Sequence, residues 1–253
     1  MPENRIFAAN RAGKIAHLMQ FHHPSTELIE LAAMAGLDGV DLDGEHGHFT
    51  LSEVDAICRQ ANAYGMTVTA RVSAIDASVI NGYLARGVQG ITGPHMETAE
   101  QAKILTDATL FLPEGERSWG PARGNVYGHT AAIKDLHGGN TEFLADSNAN
   151  MLVVAQVESK LGLENIDEIL DVEGIDCITF GPNDMAASLG HPGEPGHPAV
   201  AEAHKHITER VRAHGKRLLS DRMTTVRATT IVLDALRNHM AEHGDDSAGE
   251  GAN

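Results

Sequence analysis

The sequence predicts an α/β protein folded as a TIM (β/α)8 barrel with a shortened eighth unit. Short apolar β-type runs recur along the 253 residues, and a helical segment follows each of them. Strand–helix alternation of this kind predicts a parallel sheet, and continuously apolar strands are typical of a sheet covered on both faces. Seven or eight such units favour a barrel over an open sheet. No Gly-x-Gly-x-x-Gly follows the first strand, which argues against a dinucleotide-binding domain.

The predicted units follow one another at regular spacing. The strand-like runs are KIAHLMQ, GVDLD, TVTARV, GITGP, MLVVAQVE, CITFGP and KRLLSD, and helices are predicted at residues 25–35, 51–64, 77–86, 98–109, 163–170 and from 184 onward. Two helices begin with the pattern of a capping box, Thr50 with Glu53 and Thr98 with Gln101. Glycines in AGLDG, AYGM and ARGVQG stand where a left-handed residue ends a helix.

The chain after Asp221 is short for a helix, an eighth strand and a final helix. Apolar residues recur there at intervals of three or four, which predicts one amphipathic helix: Val226, Thr229, Leu233, Leu236 and Met240. We expect residues 227–233 to form a short closing strand, or the segment to pack as a helix across the gap. Val226, Leu233, Leu236 and Met240 should then face apolar surface, partly on a neighbouring subunit.

Composition limits the class of protein. The predicted organisation is one catalytic domain at residues 1–243 and a polar, acidic, disordered tail at 244–253. The net charge of −16 argues against nucleic acid as a partner, and no apolar run is long enough for a membrane span. No signal peptide is recognised. Cys58 and Cys177 stand in apolar contexts and are predicted to be buried free thiols, which favours a cytoplasmic location.

The long segment at residues 113–130 is predicted to be functional. Connections of this length in compact domains are usually functional or disordered, and this one contains Arg117, Trp119 and Arg123.

Polar side chains follow five of the predicted strands. They are Asp43 and His46 after the second strand, Arg71 after the third, His95 after the fourth, Glu158 after the fifth and Asp184 after the sixth. Functional groups of a barrel lie at these carboxyl ends. Glu158 and Asp184 leave adjacent strands, and such a pair can hold a hard divalent cation.

Each of these residues also has a structural explanation. Asp184 could be a helix N-cap, and Glu158 could lie at the surface beyond its strand. Arg71 could pair with a surface carboxylate, and His46 could be structural. The presence of a histidine does not by itself identify the catalytic residue, because the chain also contains His22, His23, His95 and His191.

Several motifs in order resemble one known family. DLDGEHGHF, TARV, VAQVESKLGLENIDEIL and VEGIDCITFGPNDMAASLG are similar to the metal-dependent class II pyruvate aldolases of the HpcH/HpaI family. That family includes 4-hydroxy-2-oxoheptanedioate and 2-dehydro-3-deoxyglucarate-type aldolases. The resemblance covers roughly residues 5–221. It implies a TIM barrel, a hexamer of domain-swapped dimers, and a divalent ion: Mg²⁺, Mn²⁺ or Co²⁺.

The resemblance also implies roles for single residues. Glu158 and Asp184 correspond to the metal ligands, and Arg71 to the guanidinium at the keto oxygen of pyruvate. His46 corresponds to the acid/base histidine, with Asp43 as its orienting partner. The pyruvate carboxylate would lie against the backbone of Pro182, Asn183 and Asp184. His95 departs from the family, which usually has an apolar residue there.

The implied reaction is retro-aldol cleavage, and its reverse, of a 4-hydroxy-2-oxo acid through a metal-stabilised enolate. The partners are a small 2-oxo acid and an aldehyde. His46, directly or through a metal-bound water, would take the hydroxyl proton, a task that imidazole groups commonly perform in enzymes. No Schiff-base lysine stands at a strand end. Two alternatives remain: a decarboxylase of oxaloacetate on the same site, and an inactive metal-binding homologue.

Overall fold

The computed structural model describes residues 2–243, so the predicted tail at 244–253 lies outside the described residues. Eight parallel strands form one sheet. They are β1 (Ala16–Phe21), β2 (Gly39–Asp43), β3 (Thr67–Arg71), β4 (Gly90–Gly93), β5 (Leu152–Val157), β6 (Cys177–Phe180), β7 (Arg217–Leu218) and β8 (Met223–Arg227).

The strand order confirms the predicted parallel α/β fold. Each strand from β1 to β7 pairs with its neighbour in sequence, and β8 returns to pair with β1 along five residue pairs, from Ala16 with Met223 to Gln20 with Arg227. Within residues 2–243, no ladder joins β7 to β8. The sheet is therefore curled, with its two ends at β7 and β8, and a fully closed barrel is not shown.

Twelve α-helices accompany the sheet in the described part of the chain. They are α1 (Arg5–Arg11), α2 (Thr26–Met34), α3 (Leu51–Ala63), α4 (Ala77–Leu84), α5 (Ala99–Thr109), α6 (Thr130–His137), α7 (Asn140–Ala149), α8 (Lys160–Glu164), α9 (Ile166–Leu170), α10 (Pro182–Ser188), α11 (Pro198–Ala213) and α12 (Ala228–His243). Both predicted capping boxes are confirmed, at the starts of α3 and α5. The helix predicted at 163–170 is instead the two short helices α8 and α9.

The core explains why the polar residues gather at one end of the sheet. Ile6 of α1 is fully buried and clusters with Leu18, Leu152, Val154 and Met223 from three strands. These apolar side chains belong to β1, β5 and β8, and they fill the space within the curl. A larger apolar cluster lies between the strands and the surrounding helices. The open space at the carboxyl ends is thereby left to polar side chains.

The C-terminal segment differs from the prediction in where its strand lies. A 3₁₀ turn (Leu219–Asp221) connects β7 to β8, so the helix expected between these strands is missing. The closing strand is Met223–Arg227 and not 227–233, because the helical segment already begins at Ala228. Asp221 does not end a long strand; it accepts a hydrogen bond from Arg212 Nη2 at 2.6 Å. Leu236 and Met240 are 58% and 63% exposed, so no apolar surface formed by residues 2–243 covers them.

A stop codon after Asp221 is expected to give insoluble or misassembled protein. The truncation removes β8 and leaves one edge of β1 unpaired, and an uncovered strand edge promotes aggregation. The matched control is a chain that ends at residue 243. Soluble expression and size-exclusion chromatography measure the effect. A soluble, active oligomer from the longer truncation would show that β8 is dispensable.

Two smaller findings concern the thiols and the membrane. Cys58 and Cys177 are both free and buried, as predicted, and burial raises the pKa of each thiol to about 12. No helix between residues 2 and 243 is both long and apolar enough to cross a membrane.

Candidate active site

A cavity of ≈ 490 Å³ lies at the carboxyl ends of the strands. All seven residues predicted for the site line it: Asp43, His46, Arg71, Glu158, Pro182, Asn183 and Asp184. Asp43 and Arg71 end β2 and β3, His46 and Glu158 follow β2 and β5, and the other three residues begin α10. Parallel strands bring their carboxyl ends to one edge, which is why residues far apart in sequence meet here.

The best-defined contact in the cavity is the pair Asp43–Arg71. The two residues are directly opposite each other on β2 and β3. Arg71 Nε lies 3.0 Å from Asp43 Oδ1 and Nη2 lies 2.5 Å from Oδ2, which is a bidentate pair. Burial opposes ionisation of Asp43, but the hydrogen bonds from Arg71 and from the His46 backbone N–H outweigh it, so the pKa of Asp43 is lowered. Both groups are therefore charged at neutral pH.

His46 contacts Arg71 more closely than it contacts Asp43. Its Nδ1 lies 2.8 Å from Arg71 Nη2 but 3.7 Å from Asp43 Oδ2 and 3.6 Å from Glu45 Oε2. Because a guanidinium only donates, Nδ1 accepts in this arrangement. Asp43 orients His46 through the backbone: its Oδ1 accepts from the His46 N–H at 3.2 Å. A second histidine, His22, places Nε2 3.1 Å from Asp43 Oδ2.

Glu45 is a largely buried acid that the sequence reasoning missed. Its Oε2 lies 2.9 Å from Arg71 Nη1, and its Oε1 lies 3.0 Å from His95 Nε2. The side chain is 12% exposed, so it connects the arginine to the fourth strand end inside the site. The available signal was its position, two residues after Asp43 in the same strand-end segment.

His95 has a strained backbone beside Glu158. Its φ is +46°, a conformation that non-glycine residues rarely adopt. Its backbone N–H donates to Glu158 Oε1 at 3.0 Å, and its ring Nδ1 lies 3.3 Å from the same oxygen. Strain of this kind is typical of functional sites. His95 therefore lies within the candidate site, where its ring contacts both Glu45 and Glu158.

Glu158 is almost completely buried, with 1% of its surface exposed, so it is not a surface residue. Gln156 Nε2 lies 2.5 Å from its Oε2. Asp184 lies in the first turn of α10 and is exposed. The N-cap of α10 is Gly181, so Asp184 is not the N-cap.

Gly181 leaves the space that the Glu158 carboxylate occupies. A Cβ on Gly181 would lie 2.0 Å from Glu158 Oε2 and 2.8 Å from Glu158 Cβ. This space keeps a buried carboxylate pointed into a cavity that Asp184 also lines. Two carboxylates are hard oxygen donors, so the residues fit a divalent cation such as Mg²⁺ or Mn²⁺.

Gly181→Ala is expected to weaken divalent-metal binding at least about tenfold, because the new methyl group displaces the Glu158 carboxylate. Gly120→Ala is the matched control, since a Cβ there meets nothing within 4 Å. Titration with Mn²⁺, followed by electron paramagnetic resonance, measures the affinity. Unchanged affinity in a folded Gly181→Ala variant would show that Glu158 does not depend on this space.

Asp41 is a further buried acid that lines the cavity. Thr69 Oγ1 donates to Asp41 Oδ1 at 2.6 Å, and Gln20 Nε2 donates to Oδ2 at 2.7 Å. Burial raises the pKa of Asp41 above its ordinary value. Asp41 was not predicted, because its position within an apolar strand resembles a core position.

The two arginines of segment 113–130 hold that segment in place. Arg117 is buried, with its guanidinium 4.4 Å from the centre of the Phe111 ring, and burial lowers its pKa to about 10. Arg123 Nη1 donates to the Arg86 carbonyl at 2.8 Å. Trp119 packs 5.6 Å from Phe111. None of the three lines the strand-end cavity as formed by residues 2–243, so the structure gives this segment a packing function within one chain.

A family model and similar known proteins agree on one family for this chain. A sequence model of the HpcH/HpaI aldolase/citrate lyase family matches residues 18–244. The 2-keto-3-deoxy-L-rhamnonate aldolase of Shigella boydii serotype 4 (strain Sb227) is 34% identical over 206 residues, which are 81% of this chain and 74% of that protein. The 5-keto-4-deoxy-D-glucarate aldolase of Shigella boydii serotype 18 (strain CDC 3083-94 / BS512) is 35% identical over 188 residues, or 74% of this chain and 69% of that protein.

A solved structure is similar over nearly the whole fold. The crystal structure of an HpcH/HpaI aldolase from Desulfitobacterium hafniense DCB-2 has a TM-score of 0.82 and 21% identity, and it covers 97% of this chain and 98% of that one. At this identity the match supports the fold.

Proposed function

This chain belongs to the HpcH/HpaI aldolase/citrate lyase family, and from that premise we propose that it is a carbon–carbon lyase that cleaves a 4-hydroxy-2-oxo acid. The products are pyruvate, or a related 2-oxo acid, and an aldehyde, and the reverse aldol addition uses the same site. One observation carries the proposal: a buried carboxylate, Glu158, and a paired guanidinium, Arg71, face the same strand-end cavity. Similar aldolases act on 2-keto-3-deoxy and 5-keto-4-deoxy sugar acids, which supports a hydroxylated sugar acid as substrate.

Glu158 and Asp184 are the proposed ligands of a divalent ion. Mg²⁺, Mn²⁺ and Co²⁺ are the candidates, because carboxylate oxygens accept all three. When bound, the ion would supply Lewis-acid stabilisation of charge on the keto oxygen. The substrate carboxylate is proposed to lie against the backbone of Pro182, Asn183 and Asp184, at the start of α10.

Arg71 supplies fixed positive charge to the reaction. Two of its nitrogens bind Asp43, and Nη1 lies 2.9 Å from Glu45, so the guanidinium cannot turn away from the cavity. Charge that is already oriented costs no reorganisation when negative charge develops on the enolate oxygen. Arg71 is therefore proposed to stabilise the enolate that forms when the C3–C4 bond breaks.

His46 is the proposed acid/base group. A small rotation of its ring moves Nδ1 from Arg71 toward Asp43 or Glu45, whose oxygens lie 3.7 and 3.6 Å away. A hydrogen bond from Nδ1–H to a carboxylate leaves the lone pair on Nε2, which can take the proton of the C4 hydroxyl. In the addition direction the same nitrogen returns that proton to the aldehyde oxygen.

The proposal extends to the whole molecule. We propose that residues 1–243 are one catalytic domain whose curled sheet closes as a TIM barrel, and the five residue pairs between β8 and β1 support closure. The exposed apolar side chains of α12 support a homo-oligomer, and family resemblance favours a hexamer. The two buried thiols support a cytoplasmic location.

A substrate panel tests the proposed function. Pyruvate release is measured over a series of 4-hydroxy-2-oxo acids and over oxaloacetate, with added Mg²⁺ or Mn²⁺ and with EDTA. We expect metal-dependent release of pyruvate together with one equivalent of aldehyde. Turnover of oxaloacetate alone would instead favour the decarboxylase. No turnover of any member, with metal bound, would favour an inactive homologue.

A further inference from the structure

A second group of metal-ligating side chains lies away from the strand-end cavity. The segment between α10 and α11 has the sequence Gly-His-Pro-Gly-Glu-Pro-Gly-His-Pro, and it spaces His191, Glu194 and His197 three residues apart. One ligand atom from each of the three lies within 4.8 Å of the others. None of the three lines the strand-end cavity. The proposed aldolase reaction does not use these three residues.

The backbone holds the three residues at the corners of two consecutive turns. The Glu194 N–H donates to the His191 carbonyl at 3.1 Å, and the His197 N–H donates to the Glu194 carbonyl at 3.0 Å. Each turn has Pro-Gly at its centre, which is the preferred turn chemistry, and Gly193 has a φ of +83°. The His191 N–H also donates to the Ala186 carbonyl of α10 at 2.8 Å. The segment is thus ordered before any ligand binds.

The two turns bring the side chains of His191, Glu194 and His197 close together. The rings of His191 and His197 stack with centroids 3.5 Å apart and an interplanar angle of 16°. A carboxylate stands beside them, so the donor set is two imidazole nitrogens and one oxygen. Three protein ligands of this composition, with water as the fourth, are typical of Zn²⁺. Mg²⁺ prefers oxygen ligands, so it does not compete well for two imidazoles.

We propose that His191, Glu194 and His197 form a binding site for a transition-metal ion of the Zn²⁺ class, separate from the divalent site proposed for catalysis. The ion links the end of α10, whose first turn contains Asp184, to the start of α11. Binding therefore holds the segment between α10 and α11 in one conformation.

Metal binding changes one hydrogen bond in a defined way. His197 is the N-cap of α11, and its Nδ1 accepts from the Ala199 N–H at 3.2 Å. A neutral imidazole has one lone-pair nitrogen, so Nδ1 either coordinates the ion itself or takes up the proton that Nε2 releases. In both cases the Ala199 N–H loses its acceptor. The Ala199 amide resonance thus reports occupancy of the site.

The test is a Zn²⁺ titration of the full chain in excess Mg²⁺, which keeps the oxygen-ligand site filled. The double variant H191Q/H197N removes both imidazoles, and asparagine keeps a side chain able to cap α11. His129→Asn is the matched control, because His129 also caps a helix, α6, and accepts from Ala132 at 3.2 Å. Calorimetry gives the stoichiometry and affinity, and nuclear magnetic resonance follows Ala199.

We expect the unmodified protein and His129→Asn to bind one more Zn²⁺ per chain than H191Q/H197N. At a Zn²⁺ concentration about a hundredfold above Kd, Tm should rise by roughly 5 to 10 °C in the first two proteins only. Glu194→Gln alone should weaken binding at least tenfold, which tests the site if the double variant fails to fold. Aldolase turnover with Mg²⁺ should be the same in all variants. Equal Zn²⁺ stoichiometry and affinity in H191Q/H197N, or an unmoved Ala199 resonance, would overturn the proposal.

Discussion

Glu158→Gln is expected to lower kcat/KM by about a thousandfold and to abolish tight binding of divalent metal. Glu158 is 1% exposed, so its negative charge acts in a nearly dry environment where it is poorly screened. Glutamine keeps the shape and can still accept from the His95 N–H, which donates to Oε1 at 3.0 Å. Asp184→Asn is expected to act in the same direction. The loss therefore reports the missing charge and not a collapsed site.

Glu164→Gln is the control for this prediction, because Glu164 is an exposed acid at the end of α8 that pairs only loosely with Lys160, at 3.8 Å. Mn²⁺ titration and steady-state kinetics should both leave it unchanged. A crystal structure with Mn²⁺ should place oxygens of Glu158 and Asp184 at roughly 2.0–2.6 Å from the ion. Carboxylates more than about 6 Å apart with no ion between them, or full turnover in EDTA, would contradict the assignment.

Arg71→Ala and His46→Ala are expected to separate enolate formation from cleavage. Without Arg71 the enolate loses its fixed positive charge, so exchange of the pyruvate C3 protons in D₂O and aldol cleavage should both fall by about a hundredfold or more. Without His46 the hydroxyl proton loses its acceptor, so cleavage should fall further than exchange. The measurements are exchange followed by proton resonance and pyruvate release followed by a coupled assay.

The arginine variant needs a safeguard, because removal of Arg71 leaves the buried Asp43 without its guanidinium partner, and breaking a buried pair costs up to about 3–5 kcal/mol in stability. Arg71→Lys keeps the charge but not the two-pronged contact with Asp43, and it should lose activity while remaining folded. Arg59→Ala, at an exposed arginine paired with Asp55, is the control. Equal loss of both reactions in both the Arg71 and His46 variants would contradict the division between the two residues.

The strand ends explain how much of the site could be predicted. Asp43, Arg71 and Glu158 directly end or follow β-type runs that are easy to recognise, and the parallel order of strands then brings them to one cavity. The capping boxes of α3 and α5 were predictable for a similar reason, because their signals lie within four residues. Local patterns of this kind do not depend on which distant residues pack against them.

Other features depend on contacts that no local pattern reveals. Glu45 is drawn into the site by contacts with Arg71 at the end of β3 and His95 just after β4. Asp41 resembles a core position until Thr69 and Gln20 are seen to bind it. The predicted seventh run, KRLLSD, contains β7, but only Arg217–Leu218 of it pair as a strand, and β8 could be located only through its pairing with β1. The amphipathic pattern from Val226 onward was read as helix, although Val226 belongs to the strand.

Deuterium exchange at pyruvate C3 tests the central claim most directly, because it isolates enolate formation at this cavity from the identity of the aldehyde. The unmodified protein with Mg²⁺ or Mn²⁺ in D₂O should exchange the methyl protons of pyruvate without any second substrate. Exchange should stop with EDTA and return with added metal. The Glu158→Gln variant should show no exchange, even with added metal. Pyruvate release from a 4-hydroxy-2-oxo acid with no C3 exchange, and at an undiminished rate in EDTA, would contradict the account.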